Sequence, residues 1–232
     1  MTDTMTEPRV SDSPASVAEP APAQPAAKTK NRFASAQPVL EKLFELYPHL
    51  FGRHFLPLKL GIYQDLLAAH PDVFKKDTLK TALGVHTRST RYLQCVAAGL
   101  QRHDLQGQAV EAVAPEHVFL SIAELFARRQ ARATEDLRPK LRAQLVAAYE
   151  HSGLARADYL ARIGTPSEAI SAVLDEAIEL VDQQRARSAA LVKAFEASGQ
   201  SVEAFADALG MDAGLLRAAL KHRQLVASRS DV

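Results

Sequence analysis

The sequence predicts a mainly α-helical protein with one small β-hairpin, and three observations support this. Apolar residues recur at three- and four-residue spacing along most of the chain after residue 35. The period changes between Gly99 and Val113, where Gln106-Gly107 separates two short segments in the manner of a hairpin turn. A pattern then occurs twice at an offset of 46 residues, which predicts two similar helical units.

Composition is that of an ordinary globular protein. The chain has 232 residues, of which 47% are hydrophobic and 24% charged, enough to fill one or two cores. Its net charge is only +1, so any affinity for an anion must come from local clusters of cations. The apolar runs are too short to span a bilayer, and the first residues lack the apolar core of a signal peptide. We therefore expect a cytoplasmic protein without membrane contact.

Three regions are expected from the composition and the patterning. Residues 1–32 are rich in Ala, Pro, Ser and Thr, cannot bury enough apolar surface to fold, and are predicted to be a disordered tail. Residues 33–122 should form the first folded domain. Residues 123–228 should form an all-helical region with repeats at about 137–180 and 185–226.

Helix-stop and helix-start residues divide the first domain. A helix beginning near Ser35 should stop at Pro48, and a helix around Leu66 should follow an extended segment at Pro57. A further helix is expected over Thr78–Leu83. The hydroxyl residues of the next segment, Thr87-Arg88-Ser89, suit the cap of another helix, and Pro115 suits the first turn of the helix after the hairpin.

Each C-terminal repeat has the layout of a helix-turn-helix motif. In the second copy, the helix expected from Asp212 to His222 would be the recognition helix, with cations at Arg217, Lys221, His222 and Arg223. Packing or self-association through the same helices is an alternative interpretation, because residues 119–232 hold fifteen basic and fifteen acidic side chains. The repeats are thus a candidate DNA-binding regulator or a helical adaptor that binds a protein partner.

The most distinctive motifs lie between Tyr47 and Gly107. LYPHLF, PLKLGIYQDLL, LKTALGVHTRSTRYL and GLQRHDLQG follow one another there, with EHV at Glu116 to Val118. This order resembles the ProQ/FinO family of bacterial RNA-binding proteins. The resemblance covers roughly Pro38 to Ser121.

The same segment contains the side-chain types that RNA recognition uses: cations for phosphates, flat side chains for bases, and hydroxyl groups near a helix start. Thr87 and Ser89 supply the hydroxyls, and Tyr92 and His86 the flat rings. The cations are Lys59, Lys76, Lys80, Arg88, Arg91 and Arg102. A structural interpretation stays open from spacing alone: Lys76 and Lys80 as a solvated edge, Tyr92 as a core aromatic, and Arg102 as a partner of Asp104 or Glu116.

What the resemblance implies is more definite. In ProQ/FinO domains the matching positions line a basic concave face beside a pocket at a helix N-terminus. These domains bind the base of a terminator-like hairpin and its single-stranded 3′ end. The resemblance therefore implies an RNA chaperone that binds small RNAs and mRNA 3′ hairpins in post-transcriptional regulation, with the ten residues named above as its RNA-binding site.

Three positions depart from the family pattern. His86 stands where tyrosine is common, Lys80 where arginine is usual, and Gly84 where another basic residue often occurs. The resemblance implies the same mode of binding with weaker affinity. No catalytic residue, metal ligand or cofactor is implied, so we do not expect an enzyme.

Overall fold

The structure is a computed structural model that describes the backbone of residues 25–230 and the side chains of residues 33–221 and 223. In chain order its elements are α1 (Pro25–Leu46), α2 (Pro48–Phe51), α3 (Ile62–Ala69), α4 (Lys76–Thr87), α5 (Thr90–Ala97), β1 (Arg102–His103), β2 (Ala109–Glu111), α6 (Pro115–Gln130), α7 (Arg138–Ser152), α8 (Arg156–Ile163), α9 (Glu168–Ser198), α10 (Val202–Leu209) and α11 (Ala213–Ser230).

The predicted fold class is confirmed: the chain is mainly α-helical with one antiparallel hairpin. Strands β1 and β2 pair with Arg102 opposite Glu111. Asp104 shapes the hairpin turn, because its Oδ1 accepts hydrogen bonds from the backbone N–H groups of Gln106 and Gln108 at 3.0 and 2.9 Å. The segment before α3 extends this sheet, since Leu58 forms a parallel bridge with His103.

Helix α4 is longer than the sequence suggests. The expected helix over Thr78–Leu83 runs from Lys76 to Thr87 and passes through Gly84. A glycine in a helix costs about 1 kcal/mol relative to alanine, but burial of Leu79, Leu83 and His86 on one face outweighs that cost. Thr87 is consequently the last residue of α4 and not a cap of α5.

Helix α1 begins at Pro25, inside the segment predicted to be a tail, and residues 1–24 of that segment lie outside the described residues. It crosses Pro38 and packs along α4. Ala36 and Leu43 of α1 are fully buried, so α1 closes one side of the core.

Helix α6 belongs to two halves of the structure. One side packs against α5, and the other packs against α7 and α8. The apolar core is continuous across it, from Leu43 in α1 to Val181 in α9. The boundary predicted at residues 122 and 123 falls inside this helix, where Ile122 and Leu125 are buried.

The two repeats have matching local geometry. Tyr149 and Tyr159 pack with ring centroids 4.9 Å apart, and Phe195 and Phe205, 46 residues later, do so at 5.5 Å. Helix α7 of the first repeat and helix α9 of the second each end at a glycine in the left-handed region, with φ of 64° at Gly153 and 63° at Gly199. The two repeats share one long helix, α9, which runs from Glu168 to Ser198.

The aromatic pair of the first repeat carries two hydroxyl groups in different environments. Tyr149 donates to Asp182 Oδ1 at 2.9 Å, and the Arg185 guanidinium lies 4.4 Å from the Tyr149 ring centroid. The Tyr159 hydroxyl is buried without a hydrogen-bond partner. Burial raises the pKa of Tyr159 to about 12, so this phenol stays neutral.

We predict opposite effects for the two tyrosines. Tyr159→Phe should raise the free energy of unfolding by about 1 kcal/mol because it removes a buried hydroxyl that lacks a partner, whereas Tyr149→Phe should lower it by about 1 kcal/mol through loss of a hydrogen bond. Chemical denaturation measures both. Equal destabilisation by the two changes would contradict a hydrogen bond at Tyr149 and its lack at Tyr159. The packing itself accommodates phenylalanine, because the second repeat has phenylalanine at both positions.

Candidate nucleic-acid interface

A stripe of basic residues follows the outer face of α4. Lys76, Lys80, Gly84 and Arg88 are each four residues apart, so they lie on one side of the helix. The three cations are exposed and, within the described part of the chain, their side chains make no hydrogen bond or ion pair. Like charges at this spacing repel one another, so the stripe costs stability unless an anion binds to it.

The glycine in this stripe is covered by Arg88. A Cβ atom built at Gly84 would lie 3.6 Å from Arg88 Nη1, which shows that the guanidinium folds back over the glycine. The basic residue that the family often has at this position is absent, but the charge of Arg88 occupies the same stretch of the surface. Arg88 therefore brings positive charge over the surface at Gly84.

The start of α5 adjoins the end of this stripe. Of the two hydroxyl residues predicted to suit this cap, Ser89 is the N-cap, and its Oγ accepts a hydrogen bond from the Tyr92 N–H at 3.2 Å. The N–H groups of Thr90 and Arg91 precede the first intrahelical bonds, and among the described residues they have no acceptor. Thr87 Oγ1 donates to the Leu83 carbonyl at 2.9 Å, so this hydroxyl can still accept, while that of Ser89 can still donate.

Arg91 and Lys59, the two remaining cations outside the core, differ in availability. Arg91 is exposed and has no side-chain partner among the described residues. Lys59 Nζ lies 2.9 Å from Asp65 Oδ2, and this hydrogen bond raises the pKa of the Lys59 ammonium. Lys59 is therefore partly neutralised, whereas Arg91 keeps its full charge next to the α5 start.

Tyr92 lies in the core, as the structural interpretation had it. Its ring is 7% exposed, and its hydroxyl accepts a hydrogen bond from the Leu58 N–H at 3.0 Å. Burial raises the pKa of this phenol. Tyr92 therefore offers no free face for a base and instead fixes α5 against the extended segment.

Arg102 is also buried, and its partners are not the ones considered from the sequence. Its Nη1 donates to the Leu58 carbonyl at 2.9 Å, and its Nη2 lies 3.2 Å from His117 Nδ1. The nearest carboxylate is Glu111, 3.9 Å from Nε. Asp104 serves the hairpin turn, and Glu116 Oε2 is buried without a hydrogen-bond partner.

His86 is enclosed by aromatic rings. Its ring centroid is 4.8 Å from that of Phe51, 4.4 Å from Phe55 and 5.2 Å from Tyr92. Burial lowers the pKa of His86 to about 4, so this residue does not add positive charge near neutral pH. Its Nε2 atom is buried and unpartnered.

An apolar groove runs past His86 between α1 and α4. His86 and Ser89 line its inner end, and Phe44 and Phe55 contribute aromatic walls. Phe44 is 51% exposed, which is unusual for an aromatic side chain beside a core. The groove thus joins flat apolar surface to the hydroxyl and N–H groups at the start of α5.

One contact at this site was missed from the sequence because it comes from α6, beyond the resemblance. Arg128 Nη1 donates to the Arg88 carbonyl at 2.9 Å and lies 3.3 Å from Thr90 Oγ1. Helical spacing could not have shown this link, since forty residues separate the partners. Arg128 holds the turn between α4 and α5 in place.

Two other kinds of feature are absent from the described residues. No group of three or more His, Cys, Asp or Glu side chains there is placed to hold a metal ion. No helix of the described part has the length and apolar character needed to cross a membrane.

Comparison with known proteins identifies the first half of this structure. Residues 33–138 match the model of the ProQ/FINO family. The chain belongs to the ProQ/FinO family. The matched residues run from α1 to the first residue of α7 and include all ten predicted site residues.

Named relatives are similar over the same ProQ/FinO region. The chain is 36% identical over 102 residues to a protein of Shewanella pealeana named RNA chaperone ProQ, which covers 42% of this chain and 48% of that one. It is 40% identical over 90 residues to the RNA chaperone ProQ of Idiomarina loihiensis, covering 37% of this chain and 43% of that one. The chain thus spans about half the length of the curated relatives it matches.

A solved structure is similar as well. The crystal structure of a FinO-like RNA chaperone from Neisseria meningitidis is 33% identical in sequence, with a TM-score of 0.35. The match covers 38% of this chain and 90% of that one.

His86 should make the stability of the ProQ/FinO domain sensitive to acid. Since its pKa is about 4 in the folded state and near 6.5 when unfolded, the unfolded state takes up the proton first as pH falls. The contribution of neutral His86 to the free energy of unfolding is complete above pH 6.5. It falls by about 3 kcal/mol between pH 6.5 and 4. Denaturation at several pH values measures this loss, and His86→Phe should abolish this part of it. An equal loss in the variant would assign the acid sensitivity to other groups.

Proposed function

We propose that the protein is an RNA chaperone that binds structured small RNAs and the 3′ hairpins of mRNAs in post-transcriptional regulation. The observation that carries this proposal is the unpaired basic stripe on α4 and its continuation to the α5 start. The names of the relatives support it, since they are called RNA chaperones.

The arrangement suits RNA for a chemical reason. Lys76, Lys80 and Arg88 present charge along a helix, which matches successive phosphates of a strand. At the end of the stripe, the Thr90 and Arg91 N–H groups and the Ser89 hydroxyl are donors for a phosphate or a terminal ribose. The Thr87 hydroxyl remains an acceptor for a ribose 2′- or 3′-hydroxyl.

We place the hairpin stem against the α4 stripe and the single-stranded 3′ end at Thr87 to Ser89. The apolar groove beside Ser89 gives a terminal base a surface to contact, through Phe44 and Phe55. His86 stays neutral and acts as a wall of this groove. Tyr92 and Arg102 act as supports, since both are buried and their polar groups are used within the protein.

A non-enzymatic role is part of the proposal. The single thiol, Cys95, is buried, and burial raises its pKa to about 11, so it is not a thiolate nucleophile near neutral pH. Binding alone can protect a 3′ end or favour pairing between two RNAs. We propose a cytoplasmic location in keeping with this role.

The alternative, a DNA-binding regulator or adaptor acting through the C-terminal repeats, has less support. Arg217 Nη2 lies 2.5 Å from Glu203 Oε1, and Arg223 Nη1 lies 2.6 Å from Glu196 Oε2. Two of the cations expected on the recognition helix are therefore engaged in ion pairs, and the side chain of His222 lies outside the described set. Protein contact or self-association through the repeats remains compatible with the exposed Leu209 and Leu215.

The Arg88→Ala/Arg91→Ala double variant tests the proposed RNA site. Each lost phosphate contact should lower the slope of log Kd against log salt by roughly 0.7–0.9 in magnitude and weaken binding most at low salt. Fluorescence anisotropy with a terminator-like hairpin RNA measures both. Arg187→Ala/Lys193→Ala is the matched control, because both cations are exposed on α9 and no ion pair of theirs is seen among the described residues. Equal affinities and slopes for all three proteins would exclude this surface.

A further inference from the structure

A second basic surface lies where α6 ends and α7 begins. We call it the α6–α7 cleft; it is lined by Thr90, Arg128, Arg129, Arg132, Glu135 and Lys140 among others. Four of these six residues are cations and one is an acid, in a chain whose net charge is only +1. None of the four cations is among the residues that the sequence resemblance assigned to RNA.

Three of the cations are not used by the fold. Arg128 pairs with Glu124 at 2.8 Å, but the side chains of Arg129, Arg132 and Lys140 make no hydrogen bond or ion pair within the described part of the chain. Glu135 is the acid that faces them and also lacks a partner there. The neighbouring Arg138 is neutralised by Asp136 at 2.9 Å.

Helix-dipole effects explain only part of this arrangement. Arg128 and Arg129 lie in the last turn of α6, where a cation stabilises the helix. Lys140 lies in the first turn of α7, where a cation opposes the dipole, and that turn contains no acidic residue. Arg132 lies beyond α6 altogether. Lys140 and Arg132 therefore have no structural role that accounts for their positions.

The cleft is continuous with the proposed RNA site. Arg128 forms its wall on that side and contacts the Arg88 carbonyl and Thr90 Oγ1, which belong to the turn where the RNA end is placed. A nucleic-acid strand that meets the free N–H groups of Thr90 and Arg91 thus has the cleft beside it. The arginine side chains offer the planar donors that bind phosphate in pairs.

We propose that the α6–α7 cleft binds backbone phosphates of the same RNA, beyond the segment held at the start of α5. This inference rests on the proposed function and extends the RNA contact surface to α7. The ligand is the RNA sugar-phosphate backbone, which either the paired stem or the single-stranded tail can supply.

The Arg132→Ala/Lys140→Ala double variant of the full-length chain tests the cleft. Both side chains are exposed, so the fold should be kept, and thermal unfolding checks this. With a hairpin RNA, the slope of log Kd against log salt should fall by roughly 1.4–1.8 in magnitude relative to wild type, for two phosphate contacts. Arg187→Ala/Lys193→Ala is the control with the same loss of charge and should keep the wild-type slope.

Two further measurements sharpen the test. Glu135→Gln removes the opposing acid and should tighten binding at low salt. Two further RNAs, one with a longer stem and one with a longer 3′ tail, show whether the stem or the tail reaches the cleft. The wild-type protein should gain affinity from the extension that reaches the cleft, and the Arg132/Lys140 variant should not.

Specific results would overturn the inference. If the Arg132/Lys140 variant keeps wild-type affinity and slope on both RNAs while Arg88→Ala/Arg91→Ala weakens binding, the cleft is excluded and the proposed function stands. If the wild-type protein binds neither RNA, both proposals fail.

Discussion

The backbone of Leu58 is the point on which the candidate site depends, because both its N–H and its carbonyl are held by side chains. Its N–H donates to the Tyr92 hydroxyl and its carbonyl accepts from Arg102, so one residue of an extended segment is held by α5 and by β1 together. The Arg102 charge is 8% exposed, and its nearest carboxylate is 3.9 Å away. A hydrogen bond that involves a charged group typically contributes about 1.5–3 kcal/mol to stability.

This contact has consequences for function through α5. Tyr92 is three residues after Ser89 in the first turn of α5, so fixing its ring also fixes the hydroxyl and N–H groups at the helix start. The His86 ring, near the end of α4, packs edge-on against the same Tyr92 ring with centroids 5.2 Å apart. The exposed cations are thus carried by a rigid core, which suits a site that must meet phosphates at defined positions.

Much of this organisation could be predicted from the sequence. Helical periodicity gave the fold class, the hydroxyl pattern gave the Ser89 cap, and the repeat is matched by equivalent aromatic pairs at Tyr149 and Phe195. Motif order indicated the family. Spacing could not reveal that Tyr92, His86 and Arg102 are buried, because an aromatic or basic residue near a motif has the same pattern whether it faces a ligand or the core.

Long-range contacts explain the other differences. Arg102 meets Leu58, 44 residues earlier, and Arg128 meets Arg88, 40 residues earlier, so local sequence contains no sign of either. The passage of α4 through Gly84 likewise depends on burial of the opposite face.

The proposed site for the RNA 3′ end at the start of α5 is tested most directly by photo-crosslinking. The full-length protein is crosslinked to a hairpin RNA with 4-thiouridine in its 3′ tail, and the modified peptides are identified. With the photoreactive base in the tail, we expect adducts within residues 86–92 at the α5 start, or at Phe44 and Phe55 in the groove beside it. Adducts confined to residues 201–223 would contradict it and would assign nucleic-acid binding to the second repeat.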